Sequence, residues 1–513
     1  MTEDTEQFRA LKSRLPRIWT ALAEDSDYEH TSVIVPSLSV NQEELNKVLG
    51  AAYYEERLLF ALIRLRNPRA RLIYVTSQPV HPDIIEYYLD LLEGVPMRHA
   101  RERLHVLSVC DSSPRPLTEK VLERPRFLRR LRGLIDDPEH AYLTCYNSTR
   151  LERRLAVALG IPLNGLDPDL LPLGTKSGNR QVFAEAGVRY PRGYEDLATE
   201  ADIVASLIEL GRQDPAPARA VVKLNEGFGG EGNGVFTYPA ERHDADAIRE
   251  ALTHLAWTSG NETLTTFLRK FAAMGGIVEE LVSATEIRSP SVQMRITPDG
   301  RPAFVSSHEQ VLGGATGQSY LGCRFPADDD YRLMLMQEAG KVGQVLAEKG
   351  VIGLFAIDFL VGRDPGGHWQ SWAIEINLRM GGTTPPFHAL EFLTGGRLDP
   401  DTGLFLTPSG HPKFYAATDN LKSRSYRGLL PEDLFQIIAR HGIGYRHTTG
   451  TGALFHMIGA LSQYGKVGTT CIADSPAAAE ELFEETTRIL DIEAEGGGHG
   501  VQAPLLDRYL SME

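Results

Sequence analysis

Two apolar runs, Leu354-Phe-Ala-Ile-Asp-Phe-Leu-Val361 and Trp369-Gln-Ser-Trp-Ala-Ile-Glu-Ile-Asn377, carry isolated oxygen donors in otherwise greasy sequence. The stretch between them, Gly362-Arg-Asp-Pro-Gly-Gly-His368, has turn composition, so the pair predicts a β-hairpin. Alternation at period two puts Phe355, Ile357 and Phe359 on one face and Asp358 on the other. The same rule sets Trp372, Ile374 and Ile376 against Glu375 and Asn377. Asp358, Glu375 and Asn377 can therefore converge on one face. Hard oxygen donors of this kind suit Mg²⁺, which takes a few carboxylates together with substrate phosphates and retained waters. The alternative is an amphipathic edge hairpin with solvated acids. Arg379 follows directly, where it could clamp an anion beside the metals or serve as a plain surface arginine.

A second candidate is Ala220-Val-Val-Lys-Leu-Asn-Glu-Gly-Phe-Gly-Gly-Glu-Gly-Asn-Gly-Val-Phe-Thr-Tyr238. Gly227, Gly229 and Gly232 fit G-x-G-x-x-G, yet the dinucleotide fingerprint requires a helix after the glycines, and Val235-Phe-Thr-Tyr238 reads as a strand. A glycine hairpin between strands can fold over a nucleotide, because bare backbone brings N–H groups close to phosphate oxygens. Lys223 then supplies a point charge; the alternative is a flexible surface hairpin with a solvated lysine. Gly174-Thr-Lys-Ser177 lacks the earlier glycine of a P-loop and fails as Walker A. In Gly275-Gly-Ile-Val-Glu-Glu-Leu-Val282 an apolar strand ends in acceptors that could face an adenine edge, and Glu286 could accept from ribose hydroxyls. A strand with solvated glutamates explains that segment equally well.

The elements that must position these groups are mixed. Up to residue 170, short apolar runs (Thr31–Pro36, Arg71–Thr76, Arg103–Val109) alternate with periodic helical stretches such as Glu55–Arg66, which predicts an open α/β domain over 1–170. A helix begins near Ser177 and stops at Ala186-Gly187. Strands joined by glycine turns dominate 171–395, with helices over Asp244–Trp257 and Tyr331–Lys349. Gly395-Gly-Arg-Leu-Asp-Pro400 reads as a linker into a last α/β region, 396–513, a C-terminal domain or lid. The expected fold class is α/β, or α+β.

Composition narrows the function. With 513 residues, 42% hydrophobic and 24% charged, the chain has enough sequence for about three domains. No window approaches the roughly 20 apolar residues of a bilayer span. The acidic Met-Thr-Glu-Asp-Thr-Glu start does not resemble a secretion signal, so a cytoplasmic protein is expected. A net charge of -15 opposes nucleic acid and anionic membrane as partners. Cys110, Cys145, Cys323 and Cys471 are too dispersed for a disulfide framework or a zinc site.

Taken in order, these segments resemble the ATP-grasp superfamily over roughly residues 170–395. The resemblance implies that Lys176 and Lys223 contact ATP phosphates, under a loop of Gly229 to Gly234 that includes Gly230 and Gly232. It implies that Glu279 and the backbone of Glu280, Leu281 and Val282 hold adenine, that Glu286 holds ribose, and that Asp358, Glu375 and Asn377 ligate two Mg²⁺. Thr175-Lys-Ser-Gly-Asn-Arg180, Ser307-His-Glu-Gln310, Gly317-Gln-Ser-Tyr-Leu-Gly-Cys323 and Thr451-Gly-Ala-Leu-Phe-His-Met457 are similar to peptide ligases of the pheganomycin-biosynthesis type, along most of the chain. That likeness implies an ATP-dependent ligase in an antibiotic-biosynthesis setting, joining a small-molecule carboxylate to an amino acid or peptide amine through an acyl-phosphate. Ala356 stands where the D-alanine ligase branch often has an arginine, so Arg379 or Arg295, with Lys223, is left to stabilise that intermediate. His308, Gln310, Gln318, Tyr320 and Arg324 are the substrate-side candidates, with a polar loop as the alternative. Two rival functions stay open, an ATP-grasp phosphotransferase and a non-catalytic ATP-binding regulator. Homo-oligomerisation also stays open. The absence of G-x-S-x-G and H-E-x-x-H agrees with chemistry that needs no covalent nucleophile.

Overall fold

The computed structural model describes residues 3–40, 45–46, 48–227, 232–258, 262–313 and 319–496. Among these residues the strands form three sheets. The first runs β3-β2-β1-β4 and is parallel, from β1 (His30–Val35), β2 (Ala70–Thr76), β3 (Leu104–Ser108) and β4 (Ala141–Cys145). β1, β2 and β4 are buried nearly throughout, as befits a parallel sheet covered on both faces, while the edge strand β3 is mostly half-buried. The expected helix over Glu55–Arg66 is present but wound as a 3₁₀ helix spanning Ala51–Arg66.

The second sheet runs β5-β9-β6-β7-β8, with β5 (Gly193–Leu197), β6 (Arg219–Leu224), β7 (Asn233–Thr237), β8 (Ala256–Trp257) and β9 (Gly276–Glu280) all antiparallel. Its core gathers Leu207, Phe236, Phe267, Phe271 and Val278. The register Lys223↔Asn233 makes the glycine segment a hairpin connection between β6 and β7, as its composition predicts. Gly229 and Gly230 lie outside the described residues.

The third sheet carries the carboxylates. It contains β10 (Ile287–Arg288), β11 (Pro290–Ile296), β12 (Pro302–Gly313), β13 (Ser319–Phe325), β14 (Gly353–Arg363) and β15 (Trp369–Asn377), and then β16 (Arg397–Leu398), β17 (Phe405–Leu406), β18 (Pro412–Lys422), β19 (Gly452–His456) and β20 (Lys466–Ala473). Strand β18 pairs with β13 on one side and β20 on the other. The segment after residue 395 thus extends the same hydrogen-bonded sheet, and a division there cuts through it. One core also runs from Ile34 and Leu58 through Phe387 and Phe392 to Leu454 and Leu490, so the N-terminal and C-terminal segments share buried apolar surface. None of the described helices is long and apolar enough to cross a membrane.

The hairpin β14–β15 forms as its alternation predicts, with one difference. Phe355, Ile357 and Phe359 are buried in a core with Ile376. Opposite Asp358 sits Glu375, but opposite Phe359 sits Ala373, so Ile374 is a bulged residue. The bulge resets the alternation beyond it, and Ala373 takes the core position that period two assigns to Trp372 and Ile374. Those two side chains are only partly buried.

Candidate functional site

The helix Lys176–Ala186 starts at the wall of a cavity, which Thr175 and Lys176 line. Thr175 caps it, its Oγ1 accepting from the Gly178 N–H at 3.0 Å. A Cβ at Gly178 would lie 2.0 Å from the Pro172 carbonyl, so only glycine fits this tight entry. The Lys176 N–H donates to the Asn225 carbonyl at 3.1 Å and the Ser177 N–H donates to Asn225 Oδ1 at 2.9 Å. Asn225 lies just beyond β6, so these bonds tie the helix start to the strand that carries Lys223.

Charges then alternate across the site. Lys176 Nζ is 2.5 Å from Glu375, and Lys223 pairs with buried Glu279, whose other oxygen is 3.4 Å from Arg180. Asp358 accepts from Gln310 Nε2 at 2.7 Å and from Asn377 Nδ2 at 3.0 Å. Burial, then the Glu375 charge beside it, push the Asp358 carboxyl up to about 7. Burial pushes Glu375 the same way, but Lys176, Arg379 and Lys223 more than offset it and hold the group below its ordinary value. Two adjacent carboxylates, one of them resisting ionisation, with an amide oxygen beside them, form a donor set that fits a hard divalent cation.

A cavity of about 340 Å³ opens beside this cluster. Lys176, Glu375, Asn377 and Arg379 line one side, with Gly232 immediately before β7. Ser39 and Asn147 to Thr149 line the opposite side, from loops past the carboxyl ends of β1 and β4. Neither of those loops was singled out by sequence, although the end of a parallel strand is where an open α/β sheet places its ligands.

Other candidates fall in different places. Glu280 holds Arg192, its Oε2 2.8 Å from Nε, and the Leu281 N–H donates to the Arg219 carbonyl at 3.1 Å. Glu286 pairs with Arg288 at 2.8 Å and Arg363 at 3.1 Å and does not line the cavity. Tyr320 packs beside the loop after Arg379, where a Cβ at Gly382 would lie 2.7 Å from its ring. Three expectations need correction. His308 is a core side chain, fully buried against Phe325 and 2.6 Å from the Tyr415 hydroxyl, and burial drives its pKa down to about 3. Arg324 is bound to Glu480 at 2.6 Å and stacked on Phe483, under the helix Pro476–Gly496. Arg295 stands opposite Leu354, whereas Asp358 stands opposite Ser291, so it sits four residues along β11, roughly 13 Å from the cluster. Gln318 lies outside the described residues.

Three family models match stretches of the chain. Residues 73–161 match the pre-ATP-grasp domain, residues 243–401 the IQCH-like ATP-grasp domain, and residues 433–486 the PGM1 C-terminal domain. An L-propargylglycine–L-glutamate ligase of Streptantibioticus cattleyicolor is 31% identical over 466 residues, covering 89% of this chain and 93% of that protein. An IQ motif-containing protein H of Danio rerio is 24% identical, covering 88% of this chain but 47% of its own length. Among solved structures, biotin carboxylase of Campylobacter jejuni superposes with a TM-score of 0.54 at 14% identity, covering 92% of this chain and 95% of that one. The biotin carboxylase domain of Hydrogenobacter thermophilus 2-oxoglutarate carboxylase, determined with ADP, gives 0.52 at 13% identity, with 88% of each chain covered. At such identities these two speak for the fold alone. With a relative this similar across nearly its whole length, the chain belongs to the same ATP-grasp ligase family and is an ATP-dependent enzyme that joins a carboxylate to an amine.

Proposed function

We propose that the chain makes an amide bond between two small molecules of amino-acid type through an acyl-phosphate, releasing ADP and inorganic phosphate. The single observation that carries this reading is the cluster in which Lys176, Glu375 and Arg379 line one cavity and Asp358 stands directly opposite Glu375. The fold is that of nucleotide-binding enzymes, and the ligase relative joins L-propargylglycine to L-glutamate. By analogy the substrates here are a small carboxylate and an amino acid or peptide amine.

In this reading a substrate carboxylate oxygen attacks the γ-phosphorus of ATP, and the bond from that phosphorus to the β,γ-bridging oxygen breaks as ADP leaves. The amine nitrogen then attacks the acyl carbon, the bond from that carbon to the phosphate oxygen breaks, and the amine proton passes to solvent. Asp358, Glu375 and Asn377 would hold Mg²⁺, a pair of ions in the fullest form, which supplies neutralising charge to phosphate oxygens. Lys176 and Lys223, now paired with Glu375 and Glu279, exchange those partners for phosphates, and Arg379 offers a fork to a developing oxyanion. The backbone from Glu280 to Val282, with Glu279, receives adenine; Glu286 receives ribose; the hairpin with Gly229, Gly230 and Gly232 covers the phosphates. Gln310 orients Asp358, and Tyr320 stands at the substrate end. Residues 171–395 act as the nucleotide grasp, the α/β domain over 1–170 walls the cavity from the other side and 396–513 completes the shared sheet, in an antibiotic-biosynthesis role in the cytoplasm.

Substrate carboxylate labelled with ¹⁸O tests the route. One label should appear in inorganic phosphate with amide formed and ADP as the nucleotide product. AMP as product, or a phosphorylated acceptor that accumulates with amine in excess, would overturn it.

A further inference from the structure

A second cavity of about 260 Å³ lies where the helix Leu15–Glu24 and the first sheet meet the third sheet and the helix Thr384–Thr394. Much of its wall is apolar, with Ile18, Trp19, Leu22 and Leu58. Two guanidiniums line it, Arg295 from β11 and Arg64 from the 3₁₀ helix Ala51–Arg66. Arg295 on β11 lies over the Trp19 ring, Cζ 5.7 Å from its centroid. Arg64 lies over Tyr142 at 5.3 Å and donates to the hydroxyls of Ser32 and Thr144.

The charges here do not balance. The carboxylate in the wall, Glu391, is already held by His388 at 2.5 Å. Among the described residues neither a hydrogen bond nor an ion pair closes on the Arg295 guanidinium. Burial lowers the Arg295 pKa; Glu391 opposes that fall and nearby Arg64 adds to it. Like charges brought together in a partly apolar recess cost free energy unless an anion joins them, and the guanidinium fork is the group suited to a carboxylate. An apolar wall with a few convergent polar groups is the usual make-up of a small-molecule site.

We propose that this cavity is a second binding site, for a small carboxylate with an apolar arm, the carboxylate bridging Arg64 and Arg295 and the arm lying on Trp19 and Leu22. The inference does not rest on the reaction route above. The occupant is either a substrate's apolar end or a separate effector, and both share this chemistry.

Calorimetry on the full chain, without nucleotide, tests it with 4-methylpentanoate, L-leucine and 4-methylpentanamide as probes. Both carboxylates should bind at one site per chain, and the uncharged amide should bind about tenfold more weakly or worse. Arg295→Gln should weaken 4-methylpentanoate by about tenfold, and Arg295→Lys by less, because charge remains but the fork is lost. Ala61→Phe, which fills the cavity from its wall, should abolish binding. ADP affinity, measured in parallel, should stay within about twofold of the parent, which shows that each variant is folded. A probe that appears in the ligated product is a substrate; one that alters ADP release without being incorporated is an effector. No binding of either carboxylate to the parent chain, equal binding of acid and amide, or full binding by folded Arg295→Gln and Ala61→Phe variants would overturn the proposal.

Discussion

Two inward-facing carboxyls in this molecule, Asp358 and Asp419, have been driven in opposite directions. Asp358, beside Glu375, is pushed up to about 7. Asp419, on β18, is held down to about 2: burial alone would raise it, but His456 Nε2 at 2.7 Å and Arg57 Nη1 at 3.0 Å more than compensate. The Asp419 group is closed, every strong charge having its partner within the chain. The Asp358 group is open: burial and the Glu375 charge raise its carboxyl, and the side chains that donate to it, Gln310 and Asn377, are neutral amides. A closed ionic cluster holds segments together, here the 3₁₀ helix to β18 and β19. An open one stores affinity for something that arrives.

Substitutions sharpen this contrast. Asp358→Asn should lower turnover at least about a hundredfold while the melting temperature holds or rises, because it removes one of two adjacent carboxyls. Steady-state kinetics and thermal melts on one preparation check both halves. Asp419→Asn should do the reverse and cost about 3 kcal/mol in denaturant titrations, since Arg57 would be left buried without its counter-charge. Equal stability loss in both variants would erase the distinction.

Lys223→Ala should raise the KM for ATP about tenfold with a smaller change in stability, because Glu279 keeps Arg180 as a partner. The smallest effect concerns pH. Burial pushes Glu56 up to about 7 from an ordinary 4.5. Between those values the folded chain binds more protons than the unfolded one, so this group's contribution to stability is full below about 4.5 and is lost as pH rises through 7. Glu56→Gln, which keeps an acceptor for the Gly459 N–H at 3.1 Å, should flatten that decline in melts taken from pH 5 to 8.

The carboxylate hairpin was legible because strand alternation is local: residues two apart share a face whatever the rest of the chain does. The Ile374 bulge was not, since an extra residue leaves no mark in composition. Lys223 beside a glycine turn was legible for the same local reason, whereas its pairing with Glu279 depends on the register of β6 against β9. His308 and Arg324 looked like site residues because polar side chains in a strand-rich stretch usually face solvent or ligand. Their partners, Tyr415 and Glu480, come from far along the chain. The Ser39 and Asn147 loops escaped notice for the same cause, meeting the cluster only once three sheets assemble.

The pairing of β13 with β18, and of β18 with β20, has a consequence for the nascent chain on the ribosome. Until residue 422 has emerged the sheet that bears Asp358 ends in the naked edge of β13, and until residue 473 in that of β18, each an open template for strands of other chains. Pairings this distant in sequence close slowly, so the chain must shelter that edge through much of its synthesis. Overproduction should therefore fail first by aggregation of incomplete chains, and slower translation or added chaperone should recover more material than any stabilising change near the carboxylates.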